Sequence, residues 1–122
     1  MNIKNKKISI PEPEFISNLN DQQKTAVSTT DGPLLVLSGA GTGKTKVLTT
    51  RLANLIYKRL AKTSEILAVT FTNKAALEMK KRVEKILNFP VEGMFIGTFH
   101  SIGVRFLRKH SALVNLKNDF TI

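Results

Sequence analysis

Leu34-Leu35-Val36-Leu37-Ser38-Gly39-Ala40-Gly41-Thr42-Gly43-Lys44-Thr45 is the stretch on which the reading of this chain turns. Four consecutive apolar residues at 34–37 have the composition of a strand buried on both faces, the pattern of a central parallel strand. From Lys44 to Leu60 the apolar positions Val47, Leu48, Leu52, Leu55, Ile56 and Leu60 recur at helical spacing, with Lys46, Arg51, Lys58 and Arg59 on the other side. A strand thus runs through a glycine-rich turn directly into a helix.

That context gives the turn a chemistry. Glycines reach positive φ and carry no Cβ, so successive backbone N–H groups converge on one concavity that suits phosphate oxygens. The helix N-terminus adds its partial positive charge. Ser38, Gly39, Ala40, Gly41, Thr42, Gly43, Lys44 and Thr45 therefore read as a Walker A phosphate loop, with Ser38 where the usual pattern has glycine. Lys44 is placed to reach the β and γ phosphates, and the Thr45 hydroxyl to ligate a bridging Mg2+.

Working downstream, 66–69 reads as a second buried strand and 75–87 as a helix with Ala76, Met79, Val83 and Leu87 on one stripe. A third strand is expected at 94–96, a third helix over 101–109, and the start of a fourth strand at 120–122. This alternation predicts an α/β fold, a parallel sheet with helices on both faces. Upstream, Asn20 and Gln23 have the spacing of a capping box, with Leu19 before them, and open a short helix to about Val27. Residues 1–18 mix charge, proline and isolated apolar residues, and are expected to form a loosely ordered arm.

Composition narrows the partners. Lysine and arginine number 19 against 9 acidic residues, a formal net charge of +10, which suits a polyanion such as nucleic acid or nucleotide phosphate but equally a solvated basic surface. The absence of cysteine from the chain excludes disulfides and thiolate metal sites. The apolar runs are too short for a signal-peptide core or a bilayer span, so the expected location is cytoplasmic.

With its flanks, the phosphate loop resembles the UvrD/Rep/PcrA family of superfamily 1 DNA helicases, from about Leu19 to the end of the chain. Leu19, Asn20, Gln23 and Ala26 resemble that family's Q motif, which implies that the Gln23 amide reads the adenine edge; read alone, Gln23 completes a capping box. Ala68-Val69-Thr70-Phe71-Thr72-Asn73-Lys74-Ala75-Ala76 resembles motif Ia, which implies DNA contacts from Phe71, Thr72, Asn73 and Lys74. Gly97-Thr98-Phe99-His100-Ser101 resembles the next DNA-contacting block, with Thr98, Phe99, His100 and Ser101 on the strand and Arg105 and Arg108 as a track behind them. Without the family, Phe71 reads as a core residue and His100 as a satisfied polar one. Lys46 stands where the family commonly has arginine; it keeps the charge for a nucleotide contact but lacks the planar fork.

The resemblance implies a partial RecA-like P-loop lobe over 19–122, ATP and Mg2+ as cofactors, and single-stranded DNA and DNA junctions as partners, with the protein near the nucleoid. The family's hydrolysis also needs a Walker B acid and an adjacent glutamate. No apolar strand here ends in such a pair: Glu65 and Asp119 both precede apolar stretches. The chain is accordingly expected to be an N-terminal piece that lacks hydrolysis and unwinding by itself, to pair with the remainder of a helicase chain, and to self-associate through an open sheet edge. A helicase-nuclease subunit of recombination, a stand-alone nucleotide- or single-strand-binding module, and a functionless remnant are the alternatives.

Overall fold

The computed structural model describes residues 12–37 and 43–117. Most of the phosphate loop, Ser38 to Thr42, and the expected fourth strand at 120–122 lie outside the described residues. In chain order the elements are helices α1 (Glu14–Ser17), α2 (Asp21–Ser28) and α3 (Lys44–Tyr57), strand β1 (Leu67–Thr70), helix α4 (Asn73–Leu87), strand β2 (Phe95–Thr98) and helix α5 (Phe99–Lys109). Single 3-10 turns lie at Thr63–Glu65 and Ser111–Val114. The chain is α/β: a two-stranded parallel sheet flanked by helices.

The two strands pair with Leu67 opposite Phe95 and Thr70 opposite Thr98, joined by α4 as the crossover that parallel pairing requires. Alternation then sorts their side chains. Ala68 and its register partner Ile96 face the main core, where Leu52 and Ala53 of α3 meet Met79 and Val83 of α4, sealed by Ile66, Val91 and Met94. Phe95 and Gly97 face α5, where Phe95 stacks on Phe106 at 5.6 Å. Helices therefore cover both faces, as the alternation predicts.

The helix ends follow local chemistry. The α2 capping box is formed: Gln23 N–H donates to Asn20 Oδ1 at 2.8 Å, and Asn20 N–H to Gln23 Oε1 at 3.1 Å. Helix α3 stops at Tyr57, earlier than the expected 60, because Arg59 turns left-handed at φ 56° and the amides of Arg59 and Leu60 bond back to Ile56 and Leu55. Helix α4 ends the same way at Asn88, φ 60°, just before Pro90. Helix α5 starts two residues earlier than expected, because Thr98 caps it.

Three expectations need correction. Residues 34–37 form no strand, and Leu35 and Leu37 are 80% and 84% exposed. A run of four apolar residues specifies burial but not a ladder. β1 and β2 pair with each other, and no described strand lies beside this segment. For the same reason Leu48 of α3, which lines an open groove with Leu34 and Val36, stays exposed, and so does Leu60, which lies past the helix end. The buried arc of α3 instead carries Thr49, Thr50 and Asn54, because the helix packs on both α2 and α4. Finally, of the segment expected as a loose arm, residues 1–11 lie outside the described residues and the remainder contains α1. Its Ile16 is buried with Leu19 and Val27, and Phe15 meets Tyr57 edge-on at 5.6 Å.

Among the described glycines Gly97 is the most tightly packed: a Cβ there would stand 2.6 Å from Ser101 Oγ and 3.3 Å from Ile102 Cγ1. Gly97→Ala is expected to push the first turn of α5 off β2 and cost about 1–3 kcal/mol, as overpacking does. A lowered urea midpoint checks this; an unchanged midpoint would mean that the turn moves freely.

Candidate functional site

The first helical turn of α3 is presented by Gly43, whose left-handed backbone (φ 82°) is the conformation glycine adopts most readily. Among the described residues no side chain caps this end and no acidic residue occupies its first turn, so none of them offsets its partial positive charge. Lys44 and Thr45 lie exposed in that turn. Of the expected phosphate loop, Gly43, Lys44 and Thr45 are described.

Gln23, twenty positions earlier, comes to this same point. A Cβ on Gly43 would stand 3.1 Å from Gln23 Nε2 and crowd it by a few tenths of an ångström, so the amide sits close against the start of α3. Gln23 and Lys44 line one concavity of about 540 Å³ together with Asn20, Ala26, Leu35 and Val47. The capping and ligand-reading roles of Gln23 are compatible. Its Oε1 accepts one hydrogen bond from Asn20 N–H but has two lone pairs, and Nε2 brings two further donors. An amide so placed offers a donor and an acceptor side by side.

Lys46 lines a separate groove with Thr49, Arg82 and Lys85, a basic strip between α3 and α4. Gln23 and Lys46 both come close to Gly43, Lys46 through its Cβ in the same helical turn, while Gln23 and Lys44 share the concavity.

The two expected nucleic-acid blocks meet at the C-terminal ends of the strands. Thr70 and Thr98 are register partners, so Phe71 and Phe99 each follow a paired strand end. Neighbouring strands are about 4.8 Å apart, so the backbones that carry the two rings leave the sheet next to each other. Phe71 is 93% exposed and Phe99 67%, so neither is a core residue. Asn73, Lys74 and His100 are exposed beside them.

The hydroxyls of these blocks are already engaged. Thr72 Oγ1 accepts from Ala75 N–H at 3.0 Å and caps α4. Thr98 Oγ1 accepts from Ser101 N–H at 3.2 Å, while Ser101 Oγ accepts from Thr98 N–H at 2.9 Å and donates to Thr98 O. Each cap is worth about 1 kcal/mol of helix stability. Arg105, expected on an open electrostatic track, places its guanidinium 4.4 Å above the Phe95 ring.

Two residues that periodicity set aside belong to the frame of this site. Arg51 Nη2 donates to Thr29 O at 3.0 Å, and Asn54 Nδ2 to Val27 O at 3.3 Å, tying α3 to the end of α2. The available signal was an asparagine standing among the apolar positions of an amphipathic helix.

Residues 19–122 match the family described as UvrD/REP helicase N-terminal domain. A Rickettsia conorii protein named "Probable DNA helicase II homolog" is 56% identical over 111 residues, 89% of this chain and 17% of its own length. "DNA helicase II" of Rickettsia typhi is 54% identical over 110 residues, 88% of this chain and 16% of its own. "ATP-dependent DNA helicase PcrA" of Staphylococcus aureus is 46% identical over 108 residues, 88% and 15%. The chain thus spans about a sixth of the length of the curated relatives it matches. No helix among the described residues is long and apolar enough to cross a membrane.

Proposed function

The chain belongs to the UvrD/REP helicase N-terminal domain family, and we propose that it is the nucleotide-binding and first strand-binding part of an ATP-dependent DNA helicase. The observation that carries this reading is that Gln23 lies against Gly43 and lines one concavity with Lys44. In this reading the chain forms part of a RecA-like P-loop lobe, with the loop from Ser38 to Thr45 around the phosphates.

The residues present fit ATP. Gly43 lets the Gln23 amide approach the helix start, the α3 N-terminus favours anionic oxygens, and Lys44 supplies a compact positive charge in the same turn. Gln23 offers Nε2 as donor and the second lone pair of Oε1 as acceptor to the adenine edge. Mg2+ retains several waters alongside phosphate oxygens, so a single protein hydroxyl, Thr45, suffices for this chain's share of its ligands. When bound, the ion neutralises phosphate charge.

Phe71 and Phe99 form a stacking pair for two bases of single-stranded DNA, and Asn73, Lys74 and His100 face its backbone. Thr72, Thr98 and Ser101 belong to the same contact surface chiefly by shaping the two helix starts. The activity is exercised on DNA, in the cytoplasm at the nucleoid. Unwinding and turnover belong to the longer helicase, whose remaining segments pack against the exposed Leu35, Leu37 and Leu67. A module that holds DNA without nucleotide is the second reading, favoured by the exposed aromatic pair.

Titration with a fluorescent ATP analogue is expected to show saturable binding that Lys44→Ala weakens at least tenfold, a loss of about 1.4 kcal/mol or more, with negligible phosphate release. Robust turnover abolished by Lys44→Ala would overturn the division of labour proposed here. Binding of oligo-dT is expected to weaken about 5- to 150-fold in Phe71→Ala or Phe99→Ala, as loss of about 1–3 kcal/mol of stacking implies, and to fall with salt. Full affinity in both variants would remove the stacking pair. Sedimentation of the chain alone should show an apparent mass that rises with concentration, as its uncovered strand edges and leucines associate; a monomer across the range would count against this.

A further inference from the structure

We propose that Arg51 and Asn54 are positioning residues for base recognition: by holding the last carbonyls of α2 they set Gln23 against the first turn of α3, and so tune discrimination between adenine and other bases. The inference rests on the reading of Gln23 as the base contact.

Helix α2 is only eight residues long, too short to be stable by itself, and its final carbonyls have no partner within the helix. α3 supplies partners from two side chains three residues apart, on one face. Asn54, wholly buried, donates to Val27 O, and Arg51 donates to Thr29 O. Val27 is also wholly buried and lies one turn beyond Gln23, so the two project from the same side of α2. Any slide or rotation of α2 along α3 would carry the Gln23 amide with it.

The apolar contacts at this seam, Val47 against the cluster of Ile16, Leu19 and Val27, are non-directional and tolerate such sliding. The two hydrogen bonds do not, because their strength falls steeply with angle and distance. Their presence also leaves buried polar atoms unmatched: Arg51 Nε and Asn54 Oδ1 have no hydrogen-bond partner among the described residues. Leucine at position 54 would avoid that penalty but could not donate to Val27 O. Side chains that carry an unmatched atom into the interior serve placement better than stability.

The test uses the whole chain as Arg51→Met, which keeps the apolar stem at a half-buried position, and as Asn54→Leu. In wild type, a nuclear Overhauser contact is expected between the Gln23 side-chain amide protons and Gly43 Hα. It should be lost in both variants while contacts within the α3–α4 core, such as Ala53 to Val83, persist. Affinity for ATP should fall about fivefold or more and the ATP-to-GTP preference should approach unity, with binding of inorganic tripolyphosphate within twofold of wild type. Arg51→Lys, which retains a donor, should restore part of the preference. Persistence of the Gln23–Gly43 contact in Arg51→Met and Asn54→Leu, its absence from wild type, or an equal loss of ATP and tripolyphosphate binding would overturn the proposal. Gln23→Ala tests the underlying reading separately: an unchanged ATP-to-GTP ratio there rejects Gln23 as base contact, and the Overhauser contact then decides the positioning claim alone. If Asn54→Leu does not fold, Arg51→Met carries the decision by the same readouts.

Discussion

Helix α3 is gripped from two sides, and everything that positions the candidate site depends on that. Ala53 and Leu52 are buried against Met79 and Val83 of α4, while one residue further on Asn54 is buried against the end of α2. Interior packing of this density leaves little room for adjustment, so the α3 axis is set by its neighbours. Because Gly43 and Lys44 stand at the N-terminal end of that axis, the two packing faces decide where the helix N-terminus points.

The same economy governs the strand ends. Thr72, Thr98 and Ser101 sit where nucleic-acid contacts are expected, yet their hydroxyls complete helix caps. Capping and recognition are not rivals here. A capped helix start holds the neighbouring Phe71 and Phe99 at the end of a paired strand, where exposed rings can act as platforms. Gln23 behaves alike: one lone pair of its amide oxygen completes the α2 cap, and the rest of the amide lies against Gly43. Residues whose local bonds are satisfied are held still, and a binding group that is held still loses less entropy when a ligand arrives.

Much of the fold was legible in the residues. The capping box at Asn20 and Gln23, the crossover helix with Met79 and Val83 inward, and the parallel strands on either side of it follow from spacing alone, because caps and periodicity are local. Boundaries drifted by one to three residues where a left-handed residue such as Arg59 or a cap such as Thr98 sets the end. The run Leu34-Leu35-Val36-Leu37 misled, since its composition reports the burial it is suited to and says nothing of which strand lies beside it. The inner face of α3 misled for a related reason: Thr49, Thr50 and Asn54 look polar in the sequence, and their burial follows from α3 having two neighbouring helices.

The residues by themselves determined most of the kinds of element, a basic helix start that carries Lys44 and Thr45, and the two aromatic blocks, for these depend on bonds between positions a few residues apart. Only the tertiary structure decided that Gln23 lies against Gly43, that Phe71 and Phe99 follow the ends of two paired strands, and that Lys46 shares a groove with Arg82 and Lys85. Those facts are relations between distant segments, and they are set by packing and strand register, which no single segment encodes.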